Sequence, residues 1–585
     1  MNDTIISEDI GRVADRLADL HHRFDGKTFV IAGGAGFLGR YMVLTLDHLN
    51  RTVLDDPCRI IIIDNFVSGL SDWIPDTKHV TLLRQSVADP ISVDGPVDYV
   101  INAASIASPV FYNRLRLETI DAGILGTRNL LELSVEQDAE AHLFISSSEV
   151  YGDPDDDHVP THEDYNGNVS CTGPRACYDE PKRMGETLCV NYAAVYDLPV
   201  RIARPFNIYG PGIRLDDGRV MPAFAQAALR GEELPVHGAG LKTRTFCYIS
   251  DATVGFFRIL FSKTRNRVFN IGNDRPEISI RALADAFVNA VQNNDAAVGR
   301  IDRMSDVYRV SNPERRCPDL TRIKTELGYV NEVTLQQGIE RFTTWVENAL
   351  FHQDGVRRTH RCRICDDDEL GEVLDLGHVP LANQLNDHAD EACDHFPLRL
   401  MRCARCHFVQ LAHVVSPERM FEDYPYVTST TRTFREHFGR MANDLWDELD
   451  MQPGDLVVDI GSNDGLLLRG FARHGCRVQG VEPARAIARE AREQGIDTVV
   501  DFLSRQVTDE ILRTRGRARL VTATNVFAHT ALVHDMVENV LELLAEDGVF
   551  VIEVQYLLDT LTDGTFDNIY HEHVSYFSLS SLQRL

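Results

Sequence analysis

One local pattern occurs in both halves of the chain: a run of branched apolar residues, a glycine-bearing turn, then a helix-length segment. It appears first as TFVIAGGAGFLG from Thr28 and again as LVVDIGSNDG from Leu456. After the first occurrence, RIIIIDNF, DYVINAAS and HLFISSSEVYG recur at helix-length intervals. Strands apolar at nearly every position, not at alternate ones, are buried on both faces, so the pattern predicts parallel sheets wound by helices. A chain of 585 residues also exceeds one domain several-fold. The predicted fold class is α/β: a Rossmann sheet with a small substrate subdomain, a cysteine-bearing module, and a second Rossmann-like sheet.

Boundaries follow from where the periodicity changes. Ile10, Val13, Leu17 and Leu20 predict an amphipathic helix over 7–24, inside an N-terminal segment 1–26. The first half runs over 27–350 and closes on the helix TLQQGIERFTTWVENAL; the polar, aperiodic FHQDGVRRTHR over 351–361 reads as a linker. A cysteine module follows over 362–425, and the second sheet over 426–585, which stops at SLQRL before the terminal strands such a sheet adds and is expected to be incomplete. With 59 Lys and Arg against 88 Asp and Glu, a net charge of −29, a general nucleic-acid or anionic-membrane binder is excluded, though a local basic pocket for a phosphorylated small molecule is not. The N-terminus has no basic and apolar leader, and no apolar run spans a bilayer, which predicts a soluble cytoplasmic protein.

Several motifs carry chemistry. Gly33, Gly36 and Gly39 lie between a strand and a helix, where small residues let backbone N–H groups approach a pyrophosphate. Asp64 closes the next strand, positioned to accept from both ribose hydroxyls and to repel a 2′-phosphate, so NAD is favoured over NADP. Tyr178 and Lys182 stand one helical turn apart, where an ammonium favours the tyrosinate of a base. Cys362 and Cys365 (CRIC) with Cys403 and Cys406 (CARC) form two CxxC knuckles for one tetrahedral zinc, closed and therefore structural. Their separation exceeds the usual ribbon range, and Cys393, His360 and His407 are alternative donors. In the second glycine loop, Gly461 and Gly465 admit a ligand to the backbone, Glu482 can hold a ribose diol, and the acidic Asp464 suits a cationic sulfonium better than a phosphate. That is the logic of an S-adenosylmethionine site.

Taken with SSSEVYG, the region from about 25 to 350 resembles the extended short-chain dehydrogenase/reductases, an NAD-dependent epimerase/dehydratase family. ASPVFY, GNVSCTGPRACYDEPKR, ARPFNIYGPGIRLDDGRV, KTRTFCYISD and RRCPDL look most like its UDP-glucuronate decarboxylases. The resemblance assigns Ser148, Glu149, Tyr178 and Lys182 to catalysis, with Arg244 and Tyr112 near the sugar carboxylate and Asn207 and Arg316 around the diphosphate. It also places Phe37, Leu38 and Asn102 with the glycines and Asp64 at the cofactor. A 4,6-dehydratase would carry an Asp where Ser148 stands, which disfavours water loss. From about 360 onward, YPYVTSTT, DIGSNDG, GVEPA, ATNVFAH and NIYHEHVSYFS resemble zinc-containing sugar C-methyltransferases. That resemblance makes Tyr570 and His573 the proton-transfer candidates, with Glu572 assisting, and puts Asp459, Gly461, Glu482 and Asn525 near the cofactor.

The two resemblances together imply a bifunctional enzyme: NAD-dependent C4 oxidation and decarboxylation of a nucleotide-linked uronate, then S-adenosylmethionine-dependent C-methylation alpha to the ketone. The implied cofactors are NAD, S-adenosylmethionine and zinc; the implied partners are a nucleotide sugar and a second copy of the chain, paired through the dehydrogenase-like half. A 4-epimerase or 4,6-dehydratase fused to the methyltransferase, or to a non-catalytic binding module, is the alternative.

Overall fold

The computed structural model describes residues 4–291, 298–301, 313–385, 388, 393–422, 424 and 426–585. The chain divides into two compact units, Met1–Asn348 and Ala349–Leu585.

The first unit is built on seven strands, β1 (Thr28–Ala32), β2 (Arg59–Asp64), β3 (Val80–Arg84), β4 (Tyr99–Asn102), β5 (Ala141–Ile145), β6 (Val200–Pro205) and β7 (Arg267–Ile271), in the order β7-β6-β5-β4-β1-β2-β3. All neighbours run parallel. β1, β4 and β5 are buried at every position, as a sheet covered on both faces requires. The crossover between β1 and β4 leaves a crevice above their carboxyl ends, where helix α2 (Phe37–Thr52) begins. Helix α1 spans Thr4–Arg16 and gives way to a 3₁₀ segment at Ala18–Arg23, so the single helix expected over 7–24 starts earlier and tightens midway. Ile6, Ile10, Val13 and Leu17 are buried, and α1 packs on α2 and on α4 (Ile249–Leu260). Buried Asp9 accepts from Tyr41, Tyr248 and Arg341, tying α1 into the core. Beyond the sheet, a small ladder pairs Thr243–Arg244 with Ile278–Ser279 on one side and with Arg315–Arg316 on the other, in a register that sets Arg316 opposite Arg244.

The segment 351–361, expected to be a linker, is ordered for most of its length. Helix α5 runs over Leu335–Asp354, Gly355 at φ +72° ends it, and β8 (Val356–Arg358) pairs antiparallel with β12 (His413–Val415).

The second unit also differs from the sequence expectation. The cysteine module and the second sheet are one body. Strands β9 (Leu370–Pro380), β10 (His395–Cys403) and β11 (Val409–Leu411) form an antiparallel sheet completed by β18 (Ser575–Tyr576) from the far end of the chain. The parallel sheet has the order β15-β14-β13-β16-β17, with β13 at Leu456–Ile460, β14 at Arg477–Val481, β15 at Thr498–Val499, β16 at Ala518–Thr524 and β17 at Leu544–Glu553. Cys362, Cys403, Cys406 and Phe408 share one core with Val458, Ile460, Val521 and Phe577. Among the described residues, no helix is long and apolar enough to cross a membrane.

Candidate functional site

A cavity of about 950 Å³ opens over the carboxyl ends of the first sheet. At one end lie Gly33, Gly36, Phe37, Leu38, Gly39 and Asp64. Gly33 has φ +74°, and a Cβ there would stand 2.7 Å from the backbone of Ala103; a Cβ on Gly39 would stand 2.4 Å from the Gly33 carbonyl. Gly36, which starts α2 with no side-chain cap, leaves the first turn's N–H groups to an incoming anion. The Asp64 carboxylate accepts from the N–H groups of Ala35 (3.0 Å) and Phe66 (2.8 Å), which fixes it, and burial raises its pKa. This donor set fits NAD. Asn102 does not line the cavity: it is buried at the end of β4 and donates to the Thr127 hydroxyl.

At the other end the cavity is lined by Tyr112, Ser148, Glu149, Tyr178, Lys182, Asn207, Arg244 and Arg316, so these expected residues do converge. Tyr178 and Lys182 project from helix α3 (Ala176–Tyr196); the Lys182 Nζ donates to the Ile145 carbonyl (2.7 Å) and stands 6.0 Å from the Tyr178 ring centroid. Burial lowers Lys182 to about 8 and raises Tyr178 to about 12, and the charges felt by the phenol are those of Glu149, Asp179 and Arg219, not the Lys182 ammonium expected to favour the tyrosinate. Ser147, not Ser148, supplies the hydroxyl that hydrogen-bonds Tyr178. Tyr112 stacks on the Tyr178 ring, centroids 5.5 Å apart.

Glu149 is gripped by two guanidiniums: Arg316 in a fork, with one contact of 2.7 Å, and Arg175 at 2.6 Å. Burial pushes the carboxyl upward, but Arg175 and Arg316 outweigh it and hold the pKa at about 2. Arg316, expected around the diphosphate, is thus placed on a carboxylate. Arg244, expected at the sugar carboxylate, spends donors on the carbonyls of Thr243 (2.6 Å) and Pro313 (2.7 Å). Asn207, at φ +40°, donates to the Thr245 carbonyl.

In the second unit the Sγ atoms of Cys362, Cys365, Cys403 and Cys406 all lie within 4.8 Å of one another. Cys362 and Cys406 are 3.3 Å apart and Cys365 and Cys403 3.6 Å. Zn–S bonds of about 2.3 Å give tetrahedral edges of about 3.8 Å, so the set fits zinc. Among the described residues, neither Cys393, His360 nor His407 joins the cluster.

The methyltransferase-like loop is equally specific in its contacts. Glu482 accepts from the N–H groups of Asn463 and Ala484, both at 2.9 Å, leaving lone pairs for a diol. Asp464 is fully buried; among the described residues its Oδ1 has no hydrogen-bond partner, and its Oδ2 lies 3.3 Å from Arg469. A buried carboxylate oxygen awaiting a partner and a fixed diol acceptor fit S-adenosylmethionine. The glycines act differently from expectation: a Cβ on Gly461 would meet Val526 at 2.3 Å and one on Gly465 would meet Ile496 at 2.9 Å, so packing and positive φ explain them. Asp459 is buried and accepts from Thr522 (2.6 Å), and burial raises it to about 7. Asn525, at φ +56°, bonds Glu553.

Tyr570 and His573 form a pair. The His573 Nδ1 can only donate to the Asn568 carbonyl (2.8 Å), so Nε2 is the acceptor for the Tyr570 hydroxyl (3.1 Å). Burial lowers the His573 pKa. His529, stacked on Phe421, lies 5.2 Å from the His573 ring. Glu572 points elsewhere, accepting from Asn383 and Tyr424.

Comparison with known proteins agrees with this geometry. Residues 29–272 match the NAD dependent epimerase/dehydratase family. UDP-glucuronic acid decarboxylase 5 of Arabidopsis thaliana is 37% identical over 53% of this chain and 86% of its own. UDP-glucuronic acid decarboxylase 1 of Xenopus tropicalis is 34% identical over 56% of this chain and 74% of its own. The chain belongs to the NAD-dependent epimerase/dehydratase family. The solved epimerase Mth375 of Methanothermobacter thermautotrophicus shares the fold, with a TM-score of 0.50 and 23% identity over 58% of this chain and 97% of that one. Residues 362–421 match a putative zinc binding domain and 434–585 a methyltransferase domain. The C-methyltransferase NovU of Streptomyces niveus is 40% identical over 39% of this chain, which spans about half (55%) of NovU's length. An epimerase/dehydratase domain is thus fused to a zinc-binding methyltransferase domain.

Three residues at these sites were not singled out from sequence. Ser147 is hidden in a run of three serines, Arg175 sits just ahead of α3, and His529 lies in ATNVFAH, a tract noted only for its resemblance.

Proposed function

We propose that the chain couples NAD-dependent oxidation at C4 and decarboxylation of a nucleotide-linked uronate, of the UDP-glucuronate type, to S-adenosylmethionine-dependent C-methylation alpha to the resulting 4-ketone. The observation that carries this reading is the clamp of Arg175 and Arg316 on Glu149, in the same cavity as Tyr178 and Lys182. Two guanidiniums already shaped around a protein carboxylate can accept a substrate carboxylate in the same fork geometry. A simple 4-epimerase has no need of such a clamp.

The residues divide the work as follows. Tyr178, oriented by Ser147, accepts the O4 proton, and Lys182 supplies positive charge to the tyrosinate. NAD, when bound, supplies the C4 hydride acceptor and a positive ring that eases ionisation of a phenol otherwise near 12. The 4-ketone makes the C5 carboxylate part of a β-keto acid; the C5–C6 bond breaks, CO₂ leaves, and the electron pair passes into the C4 enolate. Arg316, released from Glu149, orients the departing carboxylate, while Arg244 holds the strand on which Arg316 rides. Glu149, once Arg316 has moved to the substrate carboxylate, takes up a proton from solvent and passes it to C5. In the second unit, Glu482, Asp464 and the glycine loop at 461–465 would hold S-adenosylmethionine, which supplies the methyl group. His573 Nε2 removes the proton alpha to the ketone and Tyr570 orients it, leaving a carbon nucleophile for that methyl.

Incubating the protein with UDP-glucuronate, NAD and S-adenosylmethionine should release CO₂ and yield a pentose nucleotide heavier by one methyl group. An epimerised uronate with no CO₂ would select the epimerase alternative, and no S-adenosylmethionine binding by calorimetry would leave the second unit a non-catalytic module. A second copy is the proposed cover for Leu117, Leu125, Met184 and Val190, exposed on the helices at 116–136 and on α3. Sedimentation should show a dimer that Leu117→Arg dissociates.

A further inference from the structure

Between the first two zinc ligands lies a buried residue with no part in the reaction described so far. Arg363 is 8% exposed, and its guanidinium donates to the carbonyls of Val574 (2.8 Å) and Leu411 (3.0 Å) and to the Thr359 hydroxyl (3.1 Å). Its backbone N–H donates to the Gln410 side chain (2.9 Å), whose amide in turn donates to the Arg361 carbonyl (2.9 Å). Every one of these partners is neutral. A buried cation needs countercharge, and the cysteine cluster that flanks Arg363 in sequence can supply it: four thiolates around one divalent ion leave the site doubly negative.

Val574 is the residue after His573. Its carbonyl also accepts from the Leu411 N–H (3.0 Å), next to the short ladder that joins Gln410 to Ser575 and Val409 to Tyr576. The knuckle therefore meets the YHEH loop at one peptide group, on which two donors converge. Further along that loop, His571 donates to the Phe396 carbonyl of β10, and Glu572 accepts from Asn383.

We propose that Arg363 is a positioning residue through which the four-cysteine clip sets the geometry of the proton-transfer loop, by gripping the Val574 carbonyl next to His573. The net negative charge of the thiolate cluster keeps the guanidinium in place, and the guanidinium keeps the His573 backbone in place. The proposal rests on the reading of His573 as the base, but the grip can be tested apart from it.

The test uses the full-length, zinc-loaded protein and amide hydrogen exchange read by mass spectrometry. Arg363→Gln should speed exchange in peptides covering 569–578 by about 10- to 100-fold, the scale of a lost hydrogen bond to a charged group. Zinc content should stay at one per chain, and peptides of the parallel sheet should keep their wild-type rates. Arg363→Lys, which keeps the charge and one donor, should recover part of the protection. Chelating the zinc from wild type should speed 569–578, and adding chelator to Arg363→Gln should speed it little further. Unchanged exchange at 569–578 in Arg363→Gln would overturn the proposal, as would acceleration spread evenly over the unit with no recovery in Arg363→Lys. If exchange behaves as expected but His573→Ala still incorporates solvent deuterium alpha to the ketone, the grip stands and the assignment of the base falls.

Discussion

Two buried arginines, one in each unit, show opposite uses of the same side chain. Arg316 faces a carboxylate, with Arg175 beside it, and the pair holds Glu149 at about 2. Arg363 donates to carbonyls and a hydroxyl, and burial lowers it to about 9. An ion pair lining a cavity can change partner when another anion arrives, because the incoming carboxylate replaces the interaction it displaces. A guanidinium locked onto backbone carbonyls inside a core has no such alternative. The first unit thus has charges that an incoming anion can exchange, while the second uses charge to hold neutral groups still.

The largest effect should come from breaking the first unit's proton acceptor. Tyr178→Phe leaves no hydroxyl for O4, and formation of the 4-keto sugar should fall by about 10³-fold or more, read from the absorbance of reduced nicotinamide. Near-normal reduction would remove Tyr178 from the mechanism. Next, Cys403→Ser opens the tetrahedral site of the second unit. Because metal-binding energy contributes to folding energy, elemental analysis should find zinc well below one per chain and thermal unfolding of the second unit should begin earlier. Retained zinc would mean a different ligand set.

A third variant separates an exchangeable clamp from a static one. Glu149→Gln keeps the shape but removes the charge that holds Arg175 and Arg316, and turnover should drop by about 10²-fold while NAD affinity is unchanged. Arg175 and Arg316 hold the Glu149 carboxyl well below the usual carboxylate range, so it is ionised at neutral pH in the free protein. A rate within a factor of a few of wild type would make the clamp purely structural.

What the sequence could show depended on whether a contact is local. The two parallel sheets, the glycine turn with Asp64, the Tyr178–Lys182 pair and both CxxC knuckles are set by spacing within a strand, a turn or a helix, and the structure brings each set together. Relationships between distant segments were not legible. The register that puts Arg316 opposite Arg244 exists only once the 243 and 315 strands meet, and neither the grip of Arg316 on Glu149 nor that of Arg244 on backbone carbonyls could be read from spacing. The choice of Ser147 over Ser148 depends on where β5 ends and the 3₁₀ turn at Ser148–Tyr151 begins, which a run of three serines conceals. The cysteine module looked separate because nothing local shows that β18, from the end of the chain, completes its sheet.

The smallest expected effect is a pH profile, and it bears on the second arginine. His573 is neutral at its Nε2 acceptor, and burial lowers its pKa below the ordinary imidazole value of about 6.5. A base must be deprotonated to act, so solvent-deuterium exchange alpha to the ketone should be flat at pH 7 and above. It should decline only below about pH 6.5, by tenfold per unit once the pH is under the lowered pKa. If Arg363 holds the loop, Arg363→Gln should let water reach the ring, relieve the burial and move the acid limb upward toward the ordinary value. A limb that stays put while the plateau rate falls would mean that the variant changes the reach of His573 toward substrate and not its solvation.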